Sequence, residues 1–167
     1  MYHTSKYKSP LGEIILASSD EVLVGLWFTG QKYIGDIVNH ADKVAYTALI
    51  LEDAKAWLDN YFAGRSVPVP PFELIGTPFR CRVWKALLSI PYGKTDTYAG
   101  IANRIGCRSA QAVGGAVAHN PLSIIVPCHR VIGSNGALIG YAGGINRKKQ
   151  LLEFEHAHLK QWYADKK

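Results

Sequence analysis

The chain has 167 residues, 48% of them hydrophobic and 19% charged, with a net charge of +6. That length suits one domain or two small ones with a core needing no covalent staples, and the composition excludes a disordered or low-complexity chain. Its apolar runs are too short to span a bilayer and its first residues lack a secretory apolar stretch; cysteines at 81, 107 and 128 make no disulfide framework, so a reducing cytoplasm is expected.

Two strands are expected first, at 13–17 and 22–28, turned by Ser18-Ser19-Asp20-Glu21. A helix follows, because Ala45, Leu49, Leu51, Ala54, Trp57, Leu58, Tyr61 and Phe62 recur at helical spacing before Gly64. His3 and His40 stand alone with no cysteine nearby, so no local zinc site is expected. The run Val67-Pro68-Val69-Pro70-Pro71 reads as an extended tether dividing 1–71 from 72–167. Residues 1–71 hold six Lys/Arg and eight Asp/Glu, a net of −2. Residues 72–167 hold thirteen and five, a net of +8. That asymmetry fits either a polyanionic partner, nucleic acid first, or a solvated basic surface.

Thr77-Pro78-Phe79-Arg80 starts the next helix, with Pro78 at its first position and Phe79, Val83, Trp84, Leu87 and Leu88 as its apolar stripe. Ile90-Pro91-Tyr92-Gly93 closes it. Two short helices are expected next. Residues 98–105 place Tyr98, Ile101, Ala102 and Ile105 on one face, and 110–118 do so with Ala110, Val113, Gly114 and Val117. The turn Gly106-Cys107-Arg108-Ser109 between them completes a helix-turn-helix pattern. Gly114 and Gly115 each cost the second helix about 1 kcal/mol relative to alanine. Close approach of another surface would offset that, either a DNA minor groove or a neighbouring helix.

Residues 123–126 read as a short buried strand delivering the chain to Pro127, where it must bend. Cys128 sits at that bend beside His129. A thiolate is a strong nucleophile and a histidine can take its proton; equally, an unreactive cysteine is common in cores. Gly140-Tyr141-Ala142-Gly143-Gly144 forms a flexible aromatic loop suited to covering a flat ring. The closing helix, roughly 146–159, carries Leu151, Leu152 and Leu159 with Glu155 on the same face. Glu155 there either pairs with a histidine, making a Cys–His–Glu relay, or points to water at the stripe's edge.

Val126-Pro127-Cys128-His129-Arg130-Val131-Ile132 resembles the active-site signature of the O6-alkylguanine-DNA alkyltransferases. Arg82-Val83-Trp84-Lys85-Ala86-Leu87, Ile90-Pro91-Tyr92-Gly93, Ala112-Val113-Gly114-Gly115-Ala116, Asn120-Pro121 and the 140–144 loop resemble its other landmarks in order, covering nearly all of 76–159. The first part resembles that family's N-terminal domain only in size and pattern. The resemblance implies an α/β (α+β) fold. A small sheet-plus-helix domain, ribonuclease-H-like, would span 1–71, and a winged-helix-like, helix-turn-helix DNA-binding domain 72–167. It implies a monomer using no cofactor and no metal, with no membrane partner. Double-stranded DNA containing O6-alkylguanine would be the substrate, and O4-alkylthymine a further lesion. The damaged base would be flipped out and its alkyl group moved irreversibly to Cys128, one turnover per molecule.

The resemblance also assigns roles. His129 would be the base, acting through a water, and Glu155 its carboxylate. Asn120 would join the recognition helix to the active-site strand, and Tyr98 would sit by the target nucleotide. Tyr141 and Val117 would sandwich the guanine, and backbone groups of Val131 and Ala142 would read its edge. Ala110, Gln111, Ala112, Gly114 and Arg130 complete the DNA- and substrate-contacting set. Gln111 stands where the family commonly has an arginine that fills the gap left by the flipped base, and the turn before it is about a residue shorter. Some relatives carry tryptophan in place of the cysteine and only bind lesions; Cys128 argues against that role. A helix-turn-helix regulator or lesion sensor, and a cysteine hydrolase of small esters, are the competing functions.

Overall fold

A computed structural model of the chain describes residues 2–35 and 49–164. The chain opens with an antiparallel meander of three strands, β1 (His3–Ser9), β2 (Gly12–Ser18) and β3 (Leu23–Phe28). The sequence reading caught only β2 and β3. β1 reads HTSKYKS, half exposed, so its apolar signal is weak, and its pairing with β2 decides its state. His3 is not isolated: its ring nitrogen lies 2.7 Å from the Asp20 carboxylate. His40 and Ala45 lie outside the described residues.

Helix α1 (Leu49–Phe62) covers this sheet, burying Leu51, Ala54, Trp57, Leu58 and Tyr61 at the expected spacing. Every residue of β3 is buried, because the second part of the chain takes its outer edge. The Leu23 N–H donates to Pro71 O at 2.8 Å and the Glu73 N–H to Leu23 O at 3.0 Å. Likewise the Leu26 N–H donates to Pro121 O and the Ser123 N–H to Leu26 O. The proline-rich segment is therefore extended, as expected, but its end is pinned to the sheet rather than tethered loosely. The strand edge is thereby closed to other chains.

Helix α2 (Pro78–Leu87) starts where its signals place it: the Thr77 side chain accepts from the Arg80 N–H, and Pro78 follows the cap. Strand β4 (Asp96–Thr97) leads into α3 (Tyr98–Arg104), with Ile105 as its cap. A turn of 105–109 then leads to α4 (Ala110–Ala118), capped by Ser109. The buried stripe of α4 is Val113, Ala116 and Val117, while Ala110 is exposed rather than on the buried face. One apolar core runs through both parts of the chain, from Ile14, Leu26 and Leu58 to Trp84, Val117 and Leu151.

The strand expected at 123–126 is instead a buried turn. Ile124 adopts φ 71°, a left-handed conformation that a β-branched side chain rarely accepts. The chain then makes a short 3-10 turn, Cys128–Arg130, and pairs β5 (Val131–Ile132) in parallel with β4. Helix α5 (Ile145–Ala157) and the short α6 (Leu159–Ala164) finish the described chain. Leu159 thus belongs to a separate helix, and Leu152 is only half-buried, leaving Leu151 as the anchor of the α5 face.

Candidate active site

Pro127 sets up the site. Its φ of −81° and ψ of 64° make an inverse γ-turn, and the Cys128 N–H donates to Val126 O at 2.8 Å. Asn120 holds the preceding turn from both sides. Its Nδ2 donates to Val126 O at 2.8 Å, and its Oδ1 accepts from the Leu122 N–H at 3.0 Å. Asn120 therefore joins α4 to a turn rather than to a strand.

Cys128 is buried, and burial pushes its thiol up to about 11. Asn120, the positive charge of Lys148 and the N–H groups of Cys128 and His129 all pull the other way. At neutral pH the sulfur is thus a thiol that needs a base. His129 is fully buried, and its Nε2 lies 2.6 Å from Glu155 Oε2. Burial lowers its pKa against the opposing pull of Glu155, so the ring is neutral. With Glu155 as carboxylate, Nε2 carries the proton and donates. Nδ1 keeps its lone pair and has no hydrogen-bond partner among the described residues.

Glu155 is completely buried and pairs with His129 rather than pointing to water. Arg130 donates to both its oxygens, Nε to Oε1 at 2.8 Å and Nη2 to Oε2 at 3.0 Å. The Gly93 N–H reaches Oε1 at 3.2 Å, and the Tyr61 hydroxyl donates to Oε2 at 2.7 Å. Burial alone would raise this carboxyl's pKa; His129 and Arg130 outweigh it and hold the group well below the usual carboxylate range. Arg130, read from the sequence as facing DNA or substrate, is instead turned inward. Besides Glu155 it binds Ile90 O at 2.8 Å, and it lies over the Tyr92 ring.

Sequence reasoning missed Lys148, which is fully buried. Its Nζ donates to Ile139 O at 2.7 Å and lies 3.4 Å from the Tyr98 hydroxyl. Burial draws its pKa down to about 8, and the neighbouring Cys128 opposes that shift. The neighbours Lys149 and Arg147 disguise it as part of a basic run. The signal was the face it shares with Leu151 and Glu155, at i+3 and i+7.

A cavity of about 480 Å³ is lined by Tyr98, Ala110, Gln111, Gly114, Ile139 and Gly140 among others, and Tyr98 and Ile139 join it to Lys148. The Tyr98 hydroxyl donates to Ile139 O at 2.6 Å, and burial pushes its pKa up to about 12, so it stays protonated. Gln111 and Ala112 are exposed on the outer face of α4. A side chain at Gly114 would touch only the Tyr98 ring at ordinary contact distance, and one at Gly115 would meet nothing. Packing inside the protein therefore does not require the glycine pair. Val117, Val131 and Tyr141 are buried in the same apolar core as Cys128, and the Ala142 carbonyl accepts from the Lys32 N–H at 3.3 Å. No group of three metal-ligating side chains occurs among the described residues, and none of their helices is long and apolar enough to cross a membrane.

Residues 78–157 match the family model of the 6-O-methylguanine DNA methyltransferase DNA-binding domain, and residues 1–74 that of its ribonuclease-like domain. The chain is 46% identical over 157 residues to a Mycobacterium leprae protein named methylated-DNA–protein-cysteine methyltransferase, covering 93% of each. It is also similar to the crystal structure of the Mycobacterium tuberculosis O6-methylguanine methyltransferase, at TM-score 0.83 and 45% identity, covering 95% of this chain and 94% of that one. The same Mycobacterium tuberculosis protein in complex with DNA matches equally well, at TM-score 0.83 over 93% of this chain.

Proposed function

The chain belongs to the 6-O-methylguanine DNA methyltransferase family, and from that premise we propose that it repairs alkylated DNA by moving the alkyl group from O6-alkylguanine, and from O4-alkylthymine, to Cys128. The observation that carries this reading is the buried Cys128 beside a neutral His129 whose Nε2 is fixed by Glu155. The thiol proton passes through a water to His129 Nδ1. The sulfur then attacks the alkyl carbon in line, the S–C bond forms and the C–O bond breaks. The electron pair stays on the guanine, which takes up a proton at N3 or O6, with the Tyr98 hydroxyl and loop amides as donors. Lys148 favours the thiolate by its charge. Nothing regenerates the thioether, so each molecule acts once.

The target carbon is hidden in a stacked duplex, so the base must be flipped out into the 480 Å³ cavity. Val117 and Tyr141 would enclose the ring, and backbone groups of Val131 and Ala142 would read its edge. The small residues of α4, Ala110, Ala112, Gly114 and Gly115, would let this helix of the helix-turn-helix lie against the minor groove, with Gln111 entering the gap. In this reading residues 1–71 support a basic DNA-binding part, 72–167, whose binding weakens steeply with salt. The protein would work as a cytoplasmic monomer.

Intact mass after mixing with duplex DNA containing O6-methylguanine tests the reading. One methyl group per protein is expected, on Cys128 and not on Cys81 or Cys107, with Cys128→Ala unmodified yet still binding. Turnover beyond one equivalent, or a methyl on another cysteine, overturns it.

A further inference from the structure

The relay at Glu155 contains a member from the other end of the fold. Tyr61 lies on α1, and its hydroxyl donates to Glu155 Oε2, the oxygen that also holds His129 Nε2. The two residues are 94 positions apart in sequence. The Tyr61 ring is fixed by stacking on Trp57 and by edge contacts with Tyr92 and Trp162. It is remote from the cavity lining, and no role in holding DNA follows from its place.

We propose that Tyr61 is a positioning residue of the alkyl-transfer relay, by which the first part of the chain sets the orientation and basicity of His129 through Glu155. Three donors, from His129, Tyr61 and Arg130, share the charge of Oε2. The Tyr61 hydroxyl therefore limits how strongly Glu155 attracts a proton to His129. Gly93 binds only the other oxygen, and Arg130 spans both. The inference rests on the alkyl-transfer reading, in which His129 takes the thiol proton while the S–C bond forms and the C–O bond breaks.

The charged and titratable groups that bear on His129 are Glu155 and Lys148 from α5, and Arg130 and Cys128 on its own turn. Through Glu155, Tyr61 and Tyr92 also bear on it. Removing the Tyr61 hydroxyl leaves more of the Oε2 charge to His129 and raises the imidazole's proton affinity. The acid limb of the single-turnover rate then moves to higher pH.

The test is the pH profile of methyl transfer in the full-length protein, compared with Tyr61→Phe. We expect a neutral-pH rate about tenfold lower, the scale of one hydrogen bond to a charged group, an acid limb shifted upward, and unchanged affinity for alkylated DNA. Trp162→Phe perturbs the same aromatic packing but spares the hydroxyl, and should keep the wild-type rate and profile. 3-Fluorotyrosine at position 61 preserves the fold and strengthens the donor, so it should move the limb downward. A Tyr61→Phe protein with an unshifted limb, equal slowing by Trp162→Phe, or no response to the fluorinated residue overturns the proposal. Failure of the wild-type protein to accept a methyl group would sink the alkyl-transfer reading instead.

Discussion

The buried Glu155 cluster, the floor of the site, and the exposed face of α4, its mouth, are built on opposite principles. At the floor, one carboxylate receives donors from Tyr61, Gly93, His129 and Arg130, drawn from three separate stretches of the chain. At the mouth, α4 presents alanines, glycines and Gln111, and Gly115 faces open space. The floor is rigid because leaving any one of those donors or acceptors unpaired is expensive. The mouth carries almost no interaction of its own, and its value lies in what it leaves out. Reactivity thus depends on saturation and access on emptiness, so substitutions at the two places should fail in different ways.

Glu155→Gln breaks the floor and should have the largest effect. It removes the charge that neutralises buried Arg130, and a loss of about 3 kcal/mol of stability is expected. The rate of methyl transfer should fall about a hundredfold with DNA affinity nearly unchanged. Urea titration and single-turnover kinetics measure the two.

Acid sharpens the same point. The Glu155 carboxyl is held low in the folded state, so its contribution is full above the unfolded value of about 4.3 and lost as pH falls below it. Buried neutral His129 has a lowered pKa, so stability also falls as the unfolded imidazole takes up a proton below about pH 6.5. Melting temperatures should decline between pH 7 and 5 in both proteins, with the further drop below about pH 4 larger in the wild type.

At the mouth the sign reverses. Gly115→Ala adds a methyl group where the protein has room, and should stabilise the fold by about 0.5–1 kcal/mol. The same methyl should weaken DNA binding about tenfold without changing the salt slope, since no charge is removed. A protein that gains stability and keeps full affinity would show that α4 does not approach the groove. Gln111 should give the smallest change. Gln111→Ala should lower the ratio of duplex to single-strand repair rates about threefold, one neutral hydrogen bond's worth, and Gln111→Arg should raise it. An equal ratio in all three proteins removes Gln111 from the gap-filling role.

Legibility follows the range of the interactions. Cys128 and His129 adjoin, and Glu155 lies on a helical face, so local pattern singled out all three as candidates and the family resemblance gave them roles. The α4 boundaries and the helix start at Thr77-Pro78 were equally local. What escaped was tertiary. Ser123-Ile124-Ile125-Val126 has strand composition, but Asn120 and the edge of β3 fold it into a turn and force Ile124 to positive φ. Arg130 looked like a surface cation because its acceptor lies 25 residues away. Tyr61 read as ordinary core, since nothing near it in sequence announces a carboxylate.

The hydrogen bond from Tyr61 to Glu155 also ties an early stretch of the chain to a late one. A chain made from its N-terminus presents Tyr61 first, then Cys128, and only afterwards Glu155. Contacts of such long sequence separation close late, after the entropy of a long loop has been overcome. Until that closure the thiol has its histidine but no fixed base, so a half-made or locally opened chain carries an idle cysteine. On the alkyl-transfer reading, the group used only once would be brought into action last, by the closure that pairs Tyr61 with Glu155.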